Sequence, residues 1–370
     1  MPQAIAQRSS SDTARALTDW LAARLGEVSA VGIGSLDAPD ANGFSNITML
    51  FDAHWTDRHG LQQRRFVARV QPTGEGLFPT YDVRRQFDVL RALGASSVPV
   101  PKALWFEPDG AILGAPFFVM EYIEGHIPSD DPSFAAGGWI LGLSPSQRRD
   151  LCENALAALV EIHEVDWRKL GLDWLLKPGD GTSIARELAY YDHFYGWAAE
   201  GRHVPAIEAG LAWARDNMPA ERELALSWGD SRVGNMIFGD DLGVRVVIDW
   251  EGASLAPREK DLGHWLQLTH VYTEQFGLAL PDGFPDRETL LRRYEALSGY
   301  SLGDVHFFEV MSGIHSSIQA MRALSLMGKA SGEDPDRAAI HNNPFTRGLA
   351  RLIGFEMPAG GGLDVLTGRR

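Results

Sequence analysis

Residues 226–252 read LSWGDSRVGNMIFGDDLGVRVVIDWEG. NMIF (235–238) and VRVVID (244–249) have strand character, and GDDLG (239–243) between them is rich in residues that tolerate turn geometry. Pairing Phe238 with Val244 predicts Asn235 opposite Val247, two positions from Asp249, so that the two side chains converge. Asp230, just upstream of the first strand, reaches the mouth of the same pocket. Three oxygen-bearing side chains on so short a scaffold suit a hard divalent cation, and magnesium needs few protein ligands because it keeps water and phosphate oxygens. Phosphoryl transfer asks little more of a protein than charge neutralisation, positioned phosphates and a carboxylate for the proton of the attacking hydroxyl.

Upstream of this stretch the texture changes twice. Ala14, Leu17, Leu21 and Leu25 recur at helical spacing behind Ser11 or Asp12 as a cap, and Gly26 is the stop. FSNITMLFDAHW and RRFVARVQP, separated by TDRHGLQQ, predict an antiparallel pair. In DVRRQFDVLRALG, Val83, Phe87, Leu90 and Leu93 make one apolar helical stripe. Strands follow at PKALWFEP and in AILGAPFFVMEYIEG, and from about residue 127 long helical patterns take over. The division predicted is a tail and helix over 1–26, a small β-rich lobe over 27–125 and a larger helical lobe over 126–370. The cleft between two such lobes is the expected binding site.

Bulk composition narrows the partners. A chain of 370 residues with 45% apolar content buries a sizeable core and favours two lobes over one. Its formal net charge of -15 argues against nucleic acid or anionic lipid held by bulk electrostatics. Cys152, the single cysteine, forms no internal disulfide and sits in a helical pattern that predicts a buried thiol. No segment reaches the roughly 18 apolar residues of a membrane span, and the N-terminus lacks the pattern of a secretory signal. The expectation is a cytoplasmic protein.

Asp230-Ser-Arg-Val-Gly-Asn235 has the D-x-x-x-x-N spacing of kinase catalytic loops, and Ile248-Asp249-Trp250-Glu251 resembles the metal-binding segment of the aminoglycoside phosphotransferase and choline kinase family. Pro257-Arg-Glu-Lys-Asp261-Leu-Gly is similar to the family's second acidic element, Asn42-Gly-Phe-Ser-Asn46 to its phosphate loop, and FFVMEYIEG to its hinge. The W-G-D-x-R-V-G-N loop resembles that of a bacterial aminoglycoside phosphotransferase-like subgroup. The resemblance implies a two-lobed, protein-kinase-like α+β fold. It implies transfer of the γ-phosphate of ATP, with Mg2+, to a hydroxyl of a small molecule such as an aminoglycoside, a sugar or an amino alcohol. Asp230 becomes the base, Asn235 and Asp249 the metal ligands, and Arg232 a contact to the moving phosphate. Ser45, Asn46 and Arg69 meet the ATP phosphates, while the backbone of Glu121 and Ile123 meets the adenine.

Three residues depart from the family pattern. Arg69 stands where the strand normally carries a phosphate-binding lysine, and a planar guanidinium is not equivalent to a compact ammonium. Gln86 stands where a glutamate usually pairs with that lysine, leaving either Asp82 as a substitute partner for Arg69 or the phosphates alone to hold it. Trp228 replaces a histidine, whose hydrogen bond is expected to give way to packing. These departures motivate the alternative of a catalytically inactive kinase-like nucleotide- or metabolite-binding module. A hydrolase is disfavoured because Gly32-Ile-Gly-Ser35 lacks the closing glycine of a nucleophile elbow. Asp240 and Asp241 read as turn formers, His163 as a hydrogen-bonded structural residue, and His264 and His270 show no metal-ligand spacing.

Overall fold

The computed structural model describes residues 10–37, 47–332 and 338–358. The chain divides into two compact units, one of Met1–Gly94 with Pro101–Ile123 and one of Ala95–Val100 with Glu124–Arg370.

The first unit is a five-stranded antiparallel sheet with two helices. Its strands β1 (Ser29–Asp37), β2 (Ile47–Asp57), β3 (Gly60–Val70), β4 (Ala103–Glu107) and β5 (Phe117–Glu121) lie in the order β1-β2-β3-β5-β4. Alternation along β2 buries Met49, Phe51, Ala53 and Trp55, and helix α1 (Ser10–Leu25) adds Leu17, Trp20 and Leu21 to the same core. Glu107 accepts from Trp20 Nε1 at 2.7 Å and Arg24 at 2.6 Å, which ties α1 to β4.

The β2–β3 pair forms as expected, but its turn is only Arg58-His59, because Gly60 lets the strand begin early and pair with Asp57. Strand β1 has no counterpart in the sequence reading. Gly32 and Gly34 break its alternation, and its pairing with β2 shifts register twice. Helix α2 (Val83–Leu93) buries Val83, Gln86, Val89, Leu90 and Leu93, while Phe87 is half-buried against the rings of Phe106 and Phe118.

The second unit is mainly helical. Ser144 and Gln147 form a capping box that starts α3 (Pro145–His163). Helices α4 (Ser183–Ala199) and α5 (Pro205–Asp216) precede strand β6 (Leu224–Ser227), and then come β7 (Met236–Phe238), β8 (Val244–Val247) and β9 (Ser254–Pro257). After them run α6 (Glu259–Tyr272), α7 (Arg287–Ser298), α8 (Val305–Ser331), α9 (Ala338–His341) and α10 (Pro344–Ile353). The hairpin β7–β8 and the ribbon β6–β9 are two separate two-stranded sheets. Among the described residues no helix is long and apolar enough to cross a membrane. Cys152 is buried in α3, and burial pushes its thiol well above the usual range, so it is no nucleophile.

Candidate active site

The quoted hairpin forms, with a one-residue correction. Phe238 pairs with Val244 as expected, but Ile237 pairs with Val246 and Met236 with Val247. A bulge at Arg245 adds a residue to β8 and slides everything beyond it by one position. Asn235 therefore lies beside Ile248, whose N–H donates to its carbonyl at 2.9 Å, and one residue from Asp249. Asp249 holds φ 61°, left-handed backbone that a residue other than glycine adopts at a cost of about 1–3 kcal/mol and that clusters at functional sites.

Asp230 follows β6 in a loop that folds back over the hairpin. Its Oδ2 accepts from Asn235 Nδ2 at 2.7 Å, and its carbonyl accepts from the same nitrogen at 3.1 Å. With Nδ2 committed twice, Asn235 has Oδ1 to offer a cation. Asp230 Oδ1 accepts from Arg232 Nε at 3.1 Å and lies 2.9 Å from His264 Nε2. Arg232 also pairs with Asp130, so its guanidinium bridges two carboxylates. Burial acting alone would raise the Asp230 carboxyl, but Arg232, His264 and Asn235 together hold it well below the usual carboxylate range. The side chain is 28% exposed, so the carboxylate is partly accessible.

Two glycines make the loop possible. Gly229 has φ +93°, and a Cβ there would lie 2.2 Å from the Gly252 carbonyl oxygen. At Gly234 a Cβ would lie 2.6 Å from Arg232 Nη1 and 2.7 Å from Asp130 Oδ1, where the ion pair runs.

Asp261, at the start of α6, fastens the loop from behind. It is fully buried and accepts from Ser227 Oγ, the N–H groups of Trp228 and Gly229, and His163. Ser231 Oγ donates to its carbonyl at 2.6 Å. His163 is structural, held at 2.7 Å from the Tyr294 hydroxyl by its other nitrogen. Trp228 corrects the expectation that packing replaces a hydrogen bond. It packs on Trp250, and its indole N–H also donates to the Ile248 carbonyl at 2.9 Å, next to Asp249. Asp241 Oδ1 accepts from Gly243 N as a turn former, and Asp240 lies 2.9 Å from His126.

The second unit thus brings Asp230, Arg232, Asn235 and Asp249 into one short segment. Arg69, Glu121 and Ile123 belong to the first unit. Arg69 Nη1 donates to Thr48 Oγ1 at 2.7 Å, Asp82 caps α2 through Arg85 N, and Glu121 N donates to Lys102 O. Ser45 and Asn46 lie outside the described residues. Sequence reading missed His264, Asp130 and the depth of Asp261's role. For His264 a signal existed, because it follows Asp261 by three and so shares its helical face toward the loop. No spacing in the sequence points to Asp130, 102 residues from Arg232.

Comparison with known proteins bears on the fold and the family. A mouse protein, acyl-CoA dehydrogenase family member 10, is 34% identical over 205 residues, covering 55% of this chain and 18% of its own length. The chain spans well under half the length of the curated relatives it matches. A crystal structure from Ralstonia eutropha JMP134, provisionally assigned as an aminoglycoside phosphotransferase, superposes with TM-score 0.66 at 21% identity, covering 92% of this chain and 98% of the other. A thermostable variant of aminoglycoside phosphotransferase APH(4)-Ia, in ternary complex with AMP-PNP and hygromycin B, superposes with TM-score 0.56 at 14% identity, covering 92% and 98%. At those identities the likeness establishes the fold, a kinase-like α+β architecture. A match over residues 38–300 takes in parts of both compact units, and by it this chain belongs to the phosphotransferase enzyme family.

Proposed function

We propose that the protein transfers the γ-phosphate of ATP to a hydroxyl of a small molecule, with Asp230 as the base. The observation that carries this reading is the Asp230 carboxylate itself, held ionised by three neighbours yet partly accessible. Asp230 would orient the acceptor hydroxyl and take its proton as the oxygen attacks phosphorus, while Arg232, placed between Asp130 and Asp230, would meet the transferring group. Asn235 Oδ1 and the Asp249 carboxylate are hard oxygen donors on residues that the backbone bond from Ile248 N to Asn235 O brings within one position of each other, and such donors would suit Mg2+ completed by water and phosphate oxygens. Bound there, Mg2+ would neutralise phosphate charge. Among the described residues no cluster of three His, Cys, Asp or Glu side chains offers an alternative metal site.

Ser45, Asn46 and Arg69 would contact the phosphates, and Glu121 and Ile123 the adenine through their backbone. The Glu121 N–H is already given to Lys102 O, so its part would fall to the carbonyl. The complex of APH(4)-Ia with AMP-PNP and hygromycin B supports a nucleotide and a small molecule bound together. An aminoglycoside, a sugar and an amino alcohol all satisfy the chemistry, in a cytoplasmic setting.

Thermal unfolding against ATP, with and without magnesium, tests the reading in wild type and Asp249→Ala. Ligand at a hundred times its dissociation constant stabilises the folded state by about 2.7 kcal/mol. A magnesium-dependent rise in Tm that Asp249→Ala loses supports the assignment. No rise in the wild type refutes it.

A further inference from the structure

The two oxygens of Asp230 carry unequal loads. Oδ1 meets both Arg232 Nε, at 3.1 Å, and His264 Nε2, at 2.9 Å, whereas Oδ2 meets Asn235 Nδ2 at 2.7 Å. A carboxylate oxygen has about two lone-pair sites, so Oδ1 is full and Oδ2 keeps one open. An ionised carboxylate only accepts, so the proton between His264 and Asp230 belongs to Nε2. His264 Nδ1 lies 2.9 Å from the Ser312 hydroxyl. Ser312 is buried on α8, so the Ser312-His264-Asp230 series is a brace and offers no nucleophile.

We infer that His264, braced by Ser312, is a positioning residue that fills Oδ1 of Asp230 and so makes Oδ2 the atom that receives the acceptor's proton. The inference rests on the phosphotransfer reading above. Its physical reason is the neighbouring guanidinium. Arg232 already touches Oδ1, and an arginine fork closes readily on both oxygens of a carboxylate. Asp130 engages Arg232 Nη1 and draws the guanidinium toward a second carboxylate, while His264 takes the other site on Oδ1 and leaves the open site on Oδ2. In the transfer step the acceptor O–H bond breaks and its proton goes to Oδ2. The acceptor oxygen forms the new bond to phosphorus, and the electrons of the broken P–O bond leave on the ADP oxygen.

The test compares wild type, His264→Leu, His264→Gln and Ser312→Ala for Tm, for MgATP-induced stabilisation and for ATP hydrolysis with water as the acceptor. A positioned base is worth roughly 100- to 10,000-fold in rate, and loss of its orientation should remove about tenfold or more of kcat in His264→Leu with KM for ATP unchanged. His264→Gln retains a donor at the Nε2 position and should recover most of the rate, with Ser312→Ala between the two. A merely structural role would lower Tm and nucleotide binding in step with kcat, without rescue by glutamine. Nitrogen-15 spectra of the wild-type ring give a readout independent of turnover, and they should show the proton on Nε2, perturbed by Asp230→Asn. Wild-type kcat in His264→Leu, failure of glutamine to rescue, or a ring with Nε2 unprotonated would overturn the inference. A wild type that neither binds MgATP nor hydrolyses it would defeat the phosphotransfer reading and this one with it. Binding and hydrolysis with an indifferent His264→Leu would defeat this one alone.

Discussion

Replacing Asp261 by alanine should destabilise the second unit by about 4 kcal/mol. The side chain is fully buried and saturated, with Ser227 Oγ at 3.0 Å and Gly229 N at 2.9 Å on Oδ1, and Trp228 N at 2.8 Å and His163 Nε2 at 3.0 Å on Oδ2. The Ser227 hydroxyl can rotate toward another acceptor, but the two backbone N–H groups and the imidazole cannot. A buried donor left without a partner costs about 1–3 kcal/mol, so three of them set an upper range of about 3–9 kcal/mol. Relaxation and non-additivity bring this toward the roughly 3–5 kcal/mol found when one partner of a buried charged pair is removed. Native stabilities of about 5–15 kcal/mol would leave the variant marginal.

Urea unfolding followed by tryptophan fluorescence reads this loss, with Trp228 and Trp250 both in the affected region. Two compact units need not unfold together, so the fluorescence and circular dichroism transitions must be shown to coincide before a single free energy is extracted. The pH dependence supplies a second check. Burial would raise the Asp261 carboxyl, but the hydrogen bond and charge of His163 hold it below its ordinary 3.8. Below about pH 4 the unfolded chain binds the proton more readily, so this contribution is full above that value and fades as pH falls through the folded pKa. The alanine variant should lack that part of the acid slope. A loss under about 1 kcal/mol with the wild-type acid profile retained would show that the loop is not held by Asp261 and would refute the reasoning.

Three further outcomes follow from the same geometry. Asp230→Ala should abolish phosphate transfer while the MgATP-induced rise in Tm survives, and equal loss of binding in this variant and in Asp249→Ala would contradict the division of roles. Gly229→Ala should cost at least about 2 kcal/mol in urea unfolding, since it combines left-handed strain with a backbone contact at 2.2 Å, and an unchanged midpoint would mean the loop relaxes freely. Trp228→Phe leaves the Ile248 carbonyl without its indole donor, so about 1–3 kcal/mol should be lost together with some MgATP affinity, and calorimetry showing neither would reduce Trp228 to packing alone.

Much of the candidate site's local geometry was legible because its parts are close in sequence. Asp230, Asn235 and Asp249 fall within 20 residues, and strand alternation with turn chemistry is enough to draw them together. The register error shows the limit of such reading. A bulge at Arg245 leaves no mark in a pattern of alternating valines, yet it moves Asn235 one residue closer to Asp249. Long-range partners were hidden for another reason. Asp130 reaches Arg232 from a loop far back in the chain, and Ser312 reaches His264 from a helix 48 residues on. Pairing of that kind is decided by tertiary packing and has no period to detect. Strand β1 failed differently, since its glycines and register shifts weaken the alternation by which strands announce themselves.

The departures at Trp228, Arg69 and Gln86 gain meaning from their surroundings. Had Trp228 only filled space, a polar tie of the loop would be gone. Its N–H instead reaches the Ile248 carbonyl beside Asp249, so the loop and the hairpin stay joined across the substitution. Gln86 is buried on α2, where a glutamate would need close pairing to offset its desolvation and a neutral glutamine carries no such requirement. Arg69 is steadied by Thr48, its cross-strand neighbour. A chain drifting into a binding-only role has no reason to keep Asp230 ionised, saturated on one oxygen and open on the other, at the strain of a left-handed Asp249. On the phosphotransfer reading that arrangement serves catalysis, and the state of Asp230 is the point on which the two readings of this protein part.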